Sequence, residues 1–531
     1  MHNIRKAWPK VFFPYLLYLF ALFFLNLALI NNRFHFDSIS LASWAEEKII
    51  YLTGQQHHIL LILINHWLYS FFSWLFHVKS ALIPLSIFTC FVGACGVIVF
   101  LFTLNTLFNN KTLAVFGSLG LAFSLNYWKY STLLETHIIP TFFLIASLFF
   151  LSNAIKKQSQ RYVFYAGIFS CLSLFSSGAN IVFIPAFIAL IIYAKSPAKN
   201  IRIKYLFTYC NTILLCWLLT FVLFGSVIAS RTIISAPDLS ISRIISFYLL
   251  WFKGQLYSCA FSFSGLYYLL KCSINAIFQY NLISLSIFSL AILYLFSKNK
   301  KVLFDRYPNI TFSAFIAAVL FFTSILFYEP YNYQRYTPLL IFIWLIICLL
   351  VKDALSRNSP LHKKVIVFLF VPFLFMNNLI LSLIPDHSPR NNLYLQETIL
   401  LKNISGELDV IIISGNYLEK KYLSYFFKEG NFISEKQLRE LILSGKPAKI
   451  VLAELQKKVE SALDNGGNVF IVSFTKPLDR RIKTLLDNFY STAMSKDYLQ
   501  TRYNIHKYTA LTGMEIYRCI KLDSTGRTQA R

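Results

Sequence analysis

Residues 11–30 read VFFPYLLYLFALFFLNLALI, twenty consecutive positions without a charge. At a rise of about 1.5 Å per residue, such a run spans the roughly 30 Å hydrocarbon layer of a bilayer as one helix. Arg5, Lys6 and Lys10 precede it and no small-residue cleavage site follows, so it reads as a retained first helix. Comparable runs recur at 81–106, 112–127, 134–154, 162–178, 180–194, 205–228, 276–296, 310–328, 337–351 and 365–384, about eleven spans in all. Residues 244–275 can hold a further helix lying in the interface. The whole chain of 531 residues is 56% hydrophobic, 17% aromatic and 14% charged. Soluble domains carry roughly 25% charged residues. These values exclude a soluble enzyme, a disordered scaffold and a collagen-like fibre. They leave a polytopic α-helical membrane protein with extra material attached.

The formal charge of +26 does not point to nucleic acid, because of where it sits. Residues 1–384 hold 28 Lys and Arg against 8 acids, and residues 385–531 hold 22 against 16. The excess lies in short loops between apolar runs, where basic residues set orientation. With the N-terminus cytoplasmic, inner loops carry 19 basic residues and the much longer outer segments carry 9. An odd number of spans then puts the C-terminal region outside the cytoplasm. The nine cysteines form no CxxC pair and read as small buried hydrophobes. Cys259 and Cys272, on one expected outer loop, are the pair that could form a disulfide.

Character changes after residue 384, which divides a transmembrane domain (1–384) from an extracytoplasmic α/β domain (385–531). Asp409–Ser414 and Asn468–Phe474 read as buried strands, and Tyr503–Thr509 and Met514–Leu522 as late strands. Glu419–Phe427, Glu435–Ser444, Leu452–Asp464 and Leu478–Tyr490 read as amphipathic helices. Gly466-Gly467 ends one helix just before a strand. No P-loop and no GxGxxG occurs, so no nucleotide is assigned.

Charged groups near a bilayer are costly and mark function. Six of the eight acids in 1–384 face outward on this topology: Asp37, Glu46, Glu47, Glu135, Asp238 and Glu329. Asp37, Glu135 and Glu329 sit at span ends, which a helical bundle can gather over one outer cavity; interfacial acids without a joint role are the alternative. The outer segment 31–80 is long for a connection and carries His35, His57, His58, His66 and His77. Its stretch HHILLILINHWLYSFFSWLF reads as an interfacial amphipathic helix. Each histidine there is equally readable as packing or as a backbone hydrogen bond. NYWKYSTLLETH places Trp128, Lys129, Tyr130, Glu135 and His137 at one surface, with Trp128 and Tyr130 as aromatic-belt residues. YEPYNYQRYTP brings Glu329, Arg335 and Tyr336 together; an arginine among tyrosines suits a phosphate oxygen or a snorkelling anchor.

This pattern resembles the GT-C glycosyltransferases, in particular the protein O-mannosyltransferase and lipid A aminoarabinose transferase group. An acid opens the outer loop, here Asp37 in RFHFDS. A histidine box leads an amphipathic run, here QQHHILLILINHWLY, which lacks the two prolines usual after the histidine. A second acid opens the fourth helix, here Glu135 in KYSTLLETH, and a late outer loop matches YEPYNYQRY. The resemblance covers roughly residues 1–345.

What the resemblance implies is transfer of a sugar from a polyprenyl-phosphate carrier in the bilayer to an acceptor hydroxyl at the outer face. Asp37 is then the expected general base. Glu135 supports it or shares a divalent metal with it, Mg or Mn. Arg335 with Lys129 would hold the donor phosphate. His57 and His58 would line the acceptor or phosphate pocket, with Glu329 and Tyr336 among the substrate-binding residues. Direct displacement inverts the anomeric centre. Competing readings are another envelope polysaccharide enzyme of the O-antigen ligase or polymerase type, a transporter or flippase, and a non-catalytic assembly protein. Transporters usually place polar groups mid-span and show repeats, and neither is visible here.

Overall fold

The computed structural model describes residues 2–46, 58–195, 198–231, 263–277, 307–328, 332–352, 355, 360–414, 417–426, 431–434, 438, 441, 447–473, 504–509 and 515–520. The chain divides into two compact units. One comprises Met1–Asn31 and Trp44–His387; the other comprises Asn32–Ser43 and Ser388–Arg531. Residues 32–43 of the outer segment thus go with the C-terminal unit, and the membrane unit runs to His387.

The membrane unit is helical. Its first half holds α1 (His2–Ala28), the end of α2 (Phe36–Glu46), α3 (Ile59–Phe76), α4 (Leu82–Phe108), α5 (Lys111–Phe123), α6 (Leu125–Ser131), α7 (Ile138–Lys157), α8 (Gln160–Ser176), α9 (Ile184–Ile192) and α10 (Lys199–Arg231). Then follow α11 (Phe263–Asn275), α12 (Pro308–Tyr328), α13 (Leu340–Val351), α14 (Leu361–Asn378) and α15 (Ile384–His387). Among the described residues, four stretches are long and apolar enough to cross a membrane: Leu82–Phe108, Ile138–Lys157, Pro308–Ile325 and Val367–His387. Shorter apolar helices cover Phe13–Ala28, Leu60–Phe76, Lys111–Phe123, Gly178–Ile192 and Leu340–Val351. The expected span 276–296 lies almost wholly outside the described residues, as do Cys259 and any disulfide it forms.

The helix α6 is short because Ser124 interrupts the run. Ser124 is extended (φ −60°, ψ 133°) and its hydroxyl donates back to the Gly120 carbonyl at 2.8 Å. Trp344 Nε1 of α13 donates to the same hydroxyl at 2.8 Å, which ties the α5–α6 corner to the bundle. A helix leaves its first N–H groups without intrahelical partners. In α6 the N–H groups of Leu125 and Asn126 donate instead to the carbonyls of Ile277 (2.8 Å) and Ala276 (3.0 Å). On its other side α6 lies flush against α4. A Cβ at Gly93 would collide with the Ser131 side chain, and one at Gly96 with the Tyr127 hydroxyl. Tyr127 donates to the Gly93 carbonyl at 2.9 Å. Trp128 and Tyr130 are not belt residues facing lipid. Both are buried, at 1% and 3% exposure, and Trp128 stacks on Phe375 with centroids 5.2 Å apart. Close approach to α4 and α14 turns these rings inward.

The last span contains Pro372, a π-helical turn over Leu379–Leu383, and then α15. Asn378, Ser382 and Asp386 follow at intervals of four along it, all buried. Asn378 donates to the carbonyls of Phe123 (2.7 Å) and Ile277 (2.9 Å).

The second unit carries a five-stranded sheet in the order β2-β1-β3-β5-β4. Its strands are β1 (Val410–Ser414), β2 (Asn431–Ser434), β3 (Val469–Ser473), β4 (Asn504–Thr509) and β5 (Glu515–Ile520). β1 pairs in parallel with β2 and β3, and β5 runs antiparallel to β3 and β4. Helices α16 (Leu393–Ile404), α17 (Tyr417–Phe426) and α18 (Ala448–Asp464) accompany it. Val410 and Ile412 pack with Val451, Leu455 and Val459, while Ile411 and Ile413 pack with Leu401 and Leu423. Both faces of β1 are therefore covered, which is why it reads as an unbroken apolar run. The turn after α18 follows expectation: Gly466 adopts φ 81°, and a Cβ on Gly467 would strike the Leu408 backbone. Strand β2 was not expected; four residues at a sheet edge leave little pattern. Most of the expected helix 435–444 and all of 478–490 lie outside the described residues.

Candidate functional site

In the membrane unit, ionisable groups gather around Tyr130. Burial, followed by the nearby Glu135 and Asp386 carboxylates, holds its phenol well above the usual tyrosine range. The ring hydroxyl therefore stays protonated and available as a donor. Glu135 is fully buried in the loop between α6 and α7. Its Oε1 accepts from the Thr136 N–H (3.0 Å) and the Thr136 hydroxyl (3.1 Å). Lys129, one residue before Tyr130, forms an ion pair with Asp386, their side chains 18% and 7% exposed. Ser382 Oγ also reaches Asp386, at 3.4 Å. The pair joins α6 to the end of the last span, in a setting where charges need partners.

The segment after α12 forms a 3-10 turn, Tyr333–Tyr336, started by Asn332, whose Oδ1 accepts from the Gln334 N–H at 3.2 Å. Asn126 of α6 donates to the Tyr333 carbonyl, so this turn is hung on the same short helix. Burial, with smaller contributions from Cys272 and Tyr333, pushes the Tyr336 phenol up. Its ring meets Phe321 edge-on at 5.4 Å. Arg335, between the two tyrosines, is half-buried. Burial also raises the Tyr333 phenol, opposed by Lys271 and a hydrogen bond with Asn275.

Of the residues singled out in the sequence, the membrane unit holds Lys129, Glu135, Arg335, Tyr336 and His58. His58 Nδ1 lies 2.7 Å from the Ser176 carbonyl at the end of α8, so this imidazole anchors the start of α3 on a backbone acceptor. His57 and Glu329 lie outside the described residues. Asp37 belongs to the second unit, in the first turn of α2, where the helix dipole favours a carboxylate. It is half-buried, and residues Ser38–Ala42 after it are fully buried.

Sequence reasoning missed Asp386, which sits just beyond the expected end of the last span. Its signal was present: Asn378, Ser382 and Asp386 repeat at helical spacing through an apolar run. Among the described residues, no group of three His, Cys, Asp or Glu is placed to hold a metal ion.

The described residues thus combine apolar helices, several of membrane-spanning length, with acids, a lysine and tyrosines clustered near helix ends, and an α/β unit. Residues 63–224 match the family model described as dolichyl-phosphate-mannose-protein mannosyltransferase. No curated protein matches it. The fold is that of the crystal structure of ArnT from Cupriavidus metallidurans bound to undecaprenyl phosphate. That likeness has a TM-score of 0.59 at 10% identity, covering 98% of this chain and 100% of that one. The apo crystal structure of the same protein gives 0.56 at 9% identity, covering 97% and 98%.

Proposed function

We propose that this protein moves a sugar from a polyprenyl-phosphate carrier to an acceptor hydroxyl at the outer face of a membrane. The observation that carries the reading is the cluster of buried Tyr130, Glu135 and Asp386 with the partly buried Lys129, within a fold shared along its length with an undecaprenyl-phosphate complex. In the proposed reaction Asp37 takes the proton from the acceptor hydroxyl, whose oxygen attacks the anomeric carbon. The bond from that carbon to the phosphate oxygen breaks, its electron pair leaves with the polyprenyl phosphate, and the anomeric centre inverts. Arg335 and Lys129 counter the charge on the departing phosphate. Glu135 supports Asp37, and His57, His58, Glu329 and Tyr336 bound the substrates. The proposed location is a bacterial inner membrane, with the N-terminus cytoplasmic and the C-terminal unit periplasmic.

The test is to incubate purified protein with a panel of labelled undecaprenyl-phosphate sugars and follow release of undecaprenyl phosphate. Asp37→Asn is expected to lower the rate by roughly 100-fold or more, as for loss of a general base. Arg335→Ala should raise the donor KM. An Asp37→Asn protein as fast as the parent would remove the base assignment, and consumption of no lipid-linked sugar would remove the whole reading. Adding EDTA decides the Mg or Mn requirement.

A further inference from the structure

Within the second unit, the segment that bears Asp37 is gripped by side chains more than 350 residues away in sequence. Tyr422 of α17 donates its hydroxyl proton to the Phe34 carbonyl at 2.6 Å. Asn392 Nδ2 donates to the Asn32 carbonyl at 2.7 Å and to the Tyr422 hydroxyl at 3.0 Å. Asn392 Oδ1 meanwhile caps α16 through the Leu395 N–H at 3.1 Å, so one side chain both starts a helix and holds the segment. Phe34 lies against Phe426, with centroids 6.2 Å apart, and Phe426 against Tyr422 at 5.7 Å. Tyr422 is fully buried and Asn392 is 1% exposed, so water does not compete for these carbonyls. Three residues after Phe34 comes Asp37, with the His35 N–H donating to the Ser38 hydroxyl at 3.3 Å across it.

We infer that the C-terminal α/β unit serves catalysis by fixing the backbone of residues 32–38, with Tyr422 and Asn392 as positioning residues for the Asp37 carboxylate. The inference rests on the reading of Asp37 as the base. A carboxylate on an untethered connection samples many positions, whereas displacement by about 1 Å can cost 100-fold in rate. Two gripped carbonyls and a ring contact remove that freedom without touching substrate.

The experiment compares Tyr422→Phe, which keeps the ring and removes the donor, with the parent enzyme in detergent or nanodiscs. Amide hydrogen exchange is read over residues 32–43. Turnover is read with whichever undecaprenyl-phosphate sugar of the panel the parent consumes fastest. The expected result is faster exchange in 32–43 and a kcat lower by roughly 10- to 100-fold with donor KM unchanged. Asn392→Asp keeps an oxygen to cap α16 and removes the donor to Asn32; it should act in the same direction and serves if Tyr422→Phe does not fold. Unchanged exchange overturns the grip, and faster exchange with unchanged kcat overturns its catalytic role. Failure of the base reading is separate: it appears as full activity in Asp37→Asn.

Discussion

Lys129 and Asp386 illustrate how much a single charge near a bilayer reveals and what it leaves hidden. Lys129 and Glu135 stand out in the sequence because so few charges punctuate residues 1–384. Their surroundings do not, since the partner of Lys129 lies 257 positions away. Breaking a buried ion pair strands the remaining charge, at a cost of about 3 kcal/mol, whereas replacing both members with apolar groups of similar size is often neutral. Asp386→Leu is therefore expected to lower the thermal midpoint in detergent, and the Lys129→Met, Asp386→Leu double variant to recover most of the loss. Equal midpoints for the single and double variants would mean that the two charges do not stabilise each other. His58 shows the opposite case, a histidine flagged by its neighbour in sequence and found bonded to a carbonyl.

Helix α3 was legible as an amphipathic element because its aromatic and aliphatic positions keep helical spacing. The structure assigns its two faces. Leu61, Ile62 and Asn65 are buried, while Trp67 and Trp74 are 73% and 75% exposed with Phe71 between them. Trp67, Phe71 and Trp74 fall at i, i+4 and i+7, a single stripe suited to the interfacial zone of a bilayer. In liposomes containing brominated lipids, fluorescence from Trp74, compared with a Trp74→Phe variant, should be strongly quenched. Emission indifferent to bromine would place this stripe against protein or water instead. Helix α6 was less legible. The sequence run 112–127 reads as one span, and the break at Ser124 depends on hydrogen bonds, from its hydroxyl to the Gly120 carbonyl and from Trp344 to that hydroxyl, that no local pattern announces.

For the molecule as a whole, two units share the polypeptide in an interleaved way, with residues 32–43 inserted early and belonging late. Loop charge argues that Lys157, exposed at the end of α7, faces the cytoplasm and that Lys449, exposed on α18, faces the other side. Cysteines placed singly at these positions, in a background lacking reactive native thiols, test this in intact cells. A membrane-impermeant maleimide should label the Lys449→Cys protein and leave Lys157→Cys unlabelled until the membrane is opened; the reverse pattern would invert the topology. Composition and periodicity were enough to establish a mostly helical, apolar membrane protein and the buried strands β1 and β3. Those properties follow from local repetition of side-chain character against a solvent or lipid boundary. The company kept by Tyr130, the partner of Lys129 and the grip of Tyr422 on Phe34 came only with the folded chain. Each is a meeting of residues distant in sequence, governed by how helices pack and by where buried donors find acceptors, and neither leaves a period in the amino-acid order.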